Sequence, residues 1–195
     1  MRGFIVESSL SRIYGKTVEH VCGGISGFRD DNARRVNLRN NREIAAYLQH
    51  RGFSVTKVIG SYIENTGTDN EVETNEESLF ICNDKIDGDD FGELEKDLRK
   101  LGELYNQDSV LIVPVGGRKA YLVGTTHRDG VTPAYGEHEI MGDGRYGKVS
   151  GPFRSKIRGL EFAFETIQTP KTMNGKWGNY IVANEVAKKL GDDFP

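Results

Sequence analysis

Five polar clusters in this chain carry the side chains that chemistry would need. They are Phe28-Arg29-Asp30, Tyr62-Ile63-Glu64, Glu77-Ser78, Asn106-Gln107-Asp108-Ser109 and Thr126-His127-Arg128, each placed where an apolar run begins or ends. Arg29 and Arg128 carry guanidinium forks, which bind carboxylate or phosphate bidentately. Ser78, Gln107, Ser109, His127 and Glu64 can read hydroxyls or the edge of a base, and Asn41 and Arg42 stand near the start of an expected helix. Further on, Arg145 and Lys148 lie among glycines whose backbone N–H groups can approach an anion, with Tyr135 and Tyr146 available to stack on a base. The acids Glu64, Glu77 and Asp108 would serve a different chemistry, a divalent-metal hydrolase acting on a nucleotide or nucleic acid.

Other motifs are weaker. Gly142-Asp143-Gly144-Arg145-Tyr146-Gly147-Lys148-Val149 comes close to a phosphate-binding loop, but valine replaces the magnesium-holding Ser or Thr. Glu139-Ile140-Met141 makes no convincing strand before it, and Gly151-Pro152 argues against a helix after it. His127 and His138 stand eleven apart, a spacing that fits no compact metal motif. No nucleophile elbow and no HExxH is present. No metal or cofactor is therefore expected. Cys22 and Cys82 are too few for a disulfide framework, and their apolar surroundings read as buried free thiols.

The elements that position these groups follow from periodicity. The 195 residues suit one domain with decorations. Ser8-Ser9 caps a short helix with Leu10 and Ile13, and Val18 to Phe28 reads as a strand whose glycines suggest close backbone approach. A helix is expected from about Asn37 to Arg51, a strand over Phe53 to Glu64, and a solvated acidic loop from Asn65 to Glu76. Ser78 to Cys82 reads as a buried strand. Phe91, Leu94, Leu98, Leu101 and Tyr105 give the clearest helical stripe. Ser109–Val115 and Lys119–Thr125 form a hairpin about Gly116-Gly117. Beyond His127 the pattern dissolves into glycine and charge, before a strand near Leu160 to Ile167 and a last helix from about Tyr180 to Leu190.

The resulting order is βαββαβ plus a fifth strand, an α+β, ferredoxin-like arrangement with two helices on one face of an antiparallel sheet. The expected units are an N-terminal helix (1–17), the core (18–127) and a glycine-rich basic extension with a helix (128–195). Right-handed crossovers then bring Arg29, Glu64, Glu77-Ser78, Gln107 to Ser109 and His127-Arg128 to one rim, joined by the first helix start. Strand ends are ordinarily polar, and acids and arginines there often form plain surface pairs. Mixed chemistry at one rim, continuous with a basic segment, is what favours a site. Residues 116–159 carry net +4 inside a chain of net −3, so the remainder is −7. That balance gives no reason to expect nucleic acid as partner. No apolar run is long enough to cross a membrane, and a cytoplasmic protein is expected.

The pieces Ser8-Ser9-Leu10-Ser11-Arg12-Ile13, Ile25-Ser26-Gly27-Phe28-Arg29, Gly60-Ser61-Tyr62-Ile63-Glu64, Glu77-Ser78-Leu79-Phe80 and Tyr105-Asn106-Gln107-Asp108-Ser109-Val110 resemble a scattered family of small proteins from bacteriophages and mobile elements. The resemblance carries over no catalytic residue. It implies a setting of counter-defence, in which small proteins sequester nucleotide signals. The reading that combines rim and resemblance is a binding protein for a small anionic, nucleotide-derived ligand, in which a second copy of the chain could complete the pocket. The metal-dependent hydrolase and a protein–protein inhibitor of a host factor are its alternatives.

Overall fold

Alternation of large apolar side chains decides which way each strand faces. In the computed structural model, Ile25, Leu79, Ile81, Val110, Ile112 and Val123 fall in one buried cluster, while Cys22, Phe80, Cys82, Val113 and Ala120 fall in another. Side chains one residue apart point to opposite faces of a sheet, so both faces here are buried. The structure describes residues 9–64, 72–83, 92–146, 153–157, 160–165 and 190, with side chains for 12–60, 76–83, 92–144 and 190. Lys148 and nearly all of the expected last helix lie outside them. Leu190 is described, and packs partly buried against the first cluster.

The elements run α1 (Ser9–Glu19), β1 (Cys22–Ser26), α2 (Arg34–His50), β2 (Ser54–Glu64), β3 (Val72–Cys82), α3 (Glu93–Leu104), β4 (Ser109–Val113), β5 (Ala120–Gly124), β6 (His138–Tyr146), β7 (Phe153–Ile157) and β8 (Leu160–Glu165). Strands pair in the order β4-β1-β3-β2, all antiparallel, with contacts from α2 and α3. That is the expected ferredoxin-like core in an α+β chain. β5, β6, β8 and β7 then continue from β4 back to β2 and close the sheet into a barrel.

The helix-covered face holds the larger cluster. Leu94, Leu98 and Leu101 of α3 are fully buried, as are Ile44, Tyr47 and Leu48 of α2. Each such side chain contributes roughly 2 kcal/mol by leaving water. Gly23 lets α3 settle, since a Cβ there would stand 2.5 Å from Leu98 Cδ1. The two helices are tied by a polar clasp. Buried Asp97 accepts from Arg51 Nε at 2.8 Å and from Tyr47 Oη at 3.4 Å, and Arg51 Nη2 reaches Glu93 at 2.9 Å. Burial pushes the Asp97 carboxyl up, and the Arg51 hydrogen bond opposes it.

Several expectations need correction. The first helix, expected over 1–17, runs on to Glu19 through Val18, which was expected to open the strand, and Ile13 and Thr17, one turn apart, both face the interior. Tertiary packing there outweighs the strand preference of Val18. Ile13 packs in the second cluster, so α1 covers part of the sheet face away from α2 and α3. The acidic stretch before Ser78 is not all loop, since β3 begins at Val72 and pairs with β2 as far as Glu64. Residues after His127 form β6 and β7 as well as the anticipated β8. Cys22 and Cys82 are not free thiols. They are direct cross-strand partners, and their sulfurs are bonded. A paired neighbour on an adjacent strand is invisible to spacing along the chain. Among the described residues no helix is long and apolar enough to cross a membrane.

Replacing Asp97 with alanine would remove the carboxylate that accepts from the Tyr47 hydroxyl and from Arg51 Nε, leaving Arg51 its pair with Glu93. The expected cost is about 2–3 kcal/mol in denaturant unfolding. A change under about 0.5 kcal/mol would show that the clasp does not hold α2 to α3.

Candidate functional site

Three asparagines of α2 fix the backbone at the rim. Asn41 Oδ1 accepts from Gly27 N at 2.6 Å, and its Nδ2 donates to Glu77 O at 2.5 Å. Asn40 Nδ2 donates to Gly27 O at 3.3 Å. Asn37 receives from Arg29 N at 3.1 Å and donates to Arg29 O at 2.8 Å. All three asparagines are buried. Gly27 makes the approach possible, because a Cβ there would meet Asn40 and Asn41 within 3 Å. From the other side Gln107 Nε2 donates to Phe28 O at 3.2 Å, and Thr125 Oγ1 donates to Gln107 O at 2.7 Å. The ends of β1, β4 and β5 are thereby tied to the middle of β3 as one unit.

On the barrel-interior face this unit presents a row of small hydroxyls. Ser26 pairs with Ser78. The register that sets Gly24 opposite Leu111 brings Ser109 level with Ser26. Ser78 continues the face of Phe80 and Cys82 and lies level with buried Val58, and Glu76 stands next along it. Ser78 Oγ donates to Glu76 Oε1 at 3.4 Å, while the Ser26 hydroxyl, which donates to Glu77 O at 3.2 Å, lies near enough to favour the charged form of Glu76. Burial pushes the Glu76 carboxyl up to about 7 against these hydrogen bonds, with Asp30 adding to the rise and Arg29 opposing it. A carboxyl group that titrates near neutrality is suited to proton transfer or to meeting a ligand cation.

On the outer side a cleft of about 480 Å³ opens between the start of α2, the end of α3 and the strand ends, with Arg29, Arg39, Glu43, Tyr105, Asn106 and Arg128 in its wall. Arg29 Nη1 donates to Asn106 O at 2.5 Å and to Asp108 Oδ1 at 3.1 Å. Arg128 donates to the same Asp108 oxygen. At the floor Tyr105 Oη donates to buried Glu43 at 2.7 Å. Burial, then the hydrogen bond and charge of Glu43, push the Tyr105 phenol far up, so it stays a donor. Arg29 serves both sides, lining the cleft and influencing Glu76.

The structure brings together Arg29, Asn41, Ser78, Gln107, Asp108, Ser109 and Arg128. Asn41 uses both ends of its amide on main chain, and Gln107 is likewise tied to it. His127 stacks on Tyr135 with ring centroids 3.7 Å apart, and both are exposed beside this cluster. Tyr135 Oη donates to Glu103 at 2.9 Å. Arg42 stands apart, on an exposed face of α2 beside Arg35 and Arg39. Glu64 lies six positions along β2 from Val58, which is level with Ser78. At the rise of a strand that is about 20 Å. Arg145 and Tyr146 lie toward the opposite end, because β6 starts beside Val123 and passes Ala120 at Gly142. The basic segment therefore leaves the rim as a strand, and the near-match to a phosphate-binding loop is strand from Gly142 to Tyr146.

The three acids of the hydrolase reading do not share a place. Glu77 pairs with Lys57, Asp108 with Arg29 and Arg128, and Glu64 is distant along its strand. Among the described residues no group of three or more His, Cys, Asp or Glu stands where it could hold a metal ion. Sequence reasoning missed Glu76 and Ser26. The signal was there, because counting back from Cys82 and Phe80 in steps of two reaches Ser78 and Glu76.

Glu76 also makes a stability prediction. Its folded value, about 7, is raised above the ordinary 4.5. The folded chain thus holds the proton more tightly, and that contribution is full below about pH 4.5 and lost as pH rises through about 7. Glu76→Gln removes the loss. The variant should gain on the wild type between pH 5 and 8 by roughly 1–2 kcal/mol, after allowance for partial exposure. A difference that does not vary with pH would contradict the raised carboxyl.

A model of the S-adenosylmethionine lyase family matches residues 23–183. No curated protein sequence matches the chain. The matched span includes the asparagine ties, the serine row with Glu76, the outer cleft and the strands that close the barrel. The chain belongs to the S-adenosylmethionine lyase family.

Proposed function

We propose that this protein breaks a carbon–sulfur bond of S-adenosylmethionine, or of a close nucleoside sulfonium, at the rim. The observation that carries the reading is the family match over a span that contains a half-buried carboxyl raised to about 7 and acted on by the charge of Arg29. The substrate offers a sulfonium, an ammonium, a carboxylate, a ribose diol and an adenine. The rim offers Glu76 to the cations, Arg29 and Arg128 to the carboxylate, serine hydroxyls to the ribose, and the His127–Tyr135 face to the base. In a lyase reaction the bond breaks with its electron pair passing to sulfur, which discharges the sulfonium. The carbon left behind is satisfied by loss of a neighbouring proton to the Glu76 carboxylate or by attack of the substrate's own carboxylate. Either route takes place without water. Removal of S-adenosylmethionine would starve methyl transfer in the cell, which suits the counter-defence setting implied by the family resemblance.

Incubation of the purified protein with S-adenosylmethionine is expected to release a neutral thioether nucleoside. The amino-acid fragment first released should carry no oxygen from labelled water. Glu76→Gln should lower turnover by about 100-fold or more. Return of intact S-adenosylmethionine after the protein is denatured would instead favour sequestration through the same arginines. Solvent oxygen in the first product would favour a hydrolase.

A further inference from the structure

We infer that the Asp108 carboxylate is a built-in placeholder for the carboxylate of the ligand, and that it sets how strongly Arg29 and Arg128 select ligands carrying that group. The inference rests on the proposed reading of the rim and names a specificity residue within it. Both guanidiniums converge on one oxygen of Asp108. That is the geometry an incoming carboxylate would otherwise take. The two arginines differ in how they are held. Arg29 is anchored without Asp108, through Asn106 O at 2.5 Å and through main-chain bonds in both directions with Asn37. Its side chain is only 19% exposed, against 46% for Asp108 and 51% for Arg128.

The Arg128–Asp108 pair is half-exposed and such pairs are weak, so a ligand carboxylate can displace Asp108 from Arg128 at small cost. Arg29 would then remain where it is, while Asp108 turns outward and Arg128 closes on the ligand. The main chain beneath is independent of the carboxylate, because Thr125 N donates to Asp108 O at 2.9 Å and Gln107 is tied to Phe28 and Tyr105. An asparagine at position 108 keeps the shape and weakens the competitor. A placeholder makes a counter-intuitive prediction: removing a charged residue from the site improves binding, and only for ligands that carry an anion.

The test compares Glu76→Gln, used to slow turnover, with Glu76→Gln/Asp108→Asn by calorimetric titration. Three probes are used: S-adenosylmethionine, methylthioadenosine (which lacks the amino-acid carboxylate), and inorganic phosphate. Asp108→Asn is expected to tighten S-adenosylmethionine and phosphate about three- to tenfold and to leave methylthioadenosine unchanged. Equal or weaker binding of phosphate overturns the placeholder, as does tightening of methylthioadenosine to the same degree as S-adenosylmethionine. Should the chain with Glu76 intact neither bind nor turn over S-adenosylmethionine, the proposed function falls. The phosphate comparison still decides the role of Asp108.

Discussion

The hydrogen bonds from Asn37, Asn40 and Asn41 to the chain at Gly27, Arg29 and Glu77 are the constraint on which the site depends. A buried main-chain group must find a partner, and strands ending beneath a helix leave such groups behind. Here one helix face supplies the partners in a row. The same row that satisfies the backbone fixes where β1 ends relative to β3, and so which hydroxyls line up on the other side of the sheet. Asparagine is costly to bury, and its amide repays that by bonding at both ends. The asparagines sit on α2 near its start, where apolar residues give way to polar ones while the helix stays packed.

Burial on both faces explains the rest of the architecture. A ferredoxin-like sheet with helices on one side leaves its other face in need of cover. In this chain α1 and the strands beyond β5 supply it, and closure leaves no strand edge of the core unpaired. Inside the closure Cys22 and Cys82 lie with Phe80 and Val113. Toward the rim the lining changes from large apolar residues to serines and then to Glu76. That gradient places a carboxyl at the boundary between apolar interior and solvent, where its charged form is disfavoured and an arriving cation has most effect on it.

Much of the core was legible in the sequence. The stripe Leu94–Leu98–Leu101 specified α3, the Gly116-Gly117 turn specified the β4–β5 hairpin, and handed crossovers put Arg29, Gln107 and Arg128 at one end. The parts that were not legible share a cause, since each depends on a partner distant in sequence. β6 was hidden because its residues, among them Glu139, Gly142 and Asp143, pack by pairing with β5 and β8 rather than by their own hydrophobicity. Val72 to Glu76 read as solvated because its acids mask a strand supported by β2. Asn41 and Gln107 read as ligand-facing because their type suits recognition, whereas the fold uses them to hold main chain. Arg145 and Tyr146 seemed to follow His127 to the rim, and an unrecognised strand carries them away from it.

The most direct test of the central claim is the titration of the Glu76 carboxyl carbon by NMR, first in the free protein and then with S-adenosylmethionine bound at a temperature low enough to halt turnover. The account predicts a midpoint near 7 in the free protein. It predicts a clear fall when the sulfonium arrives, since a nearby cation favours the charged form. A midpoint at the ordinary value for a glutamate, unmoved by the ligand, would contradict it.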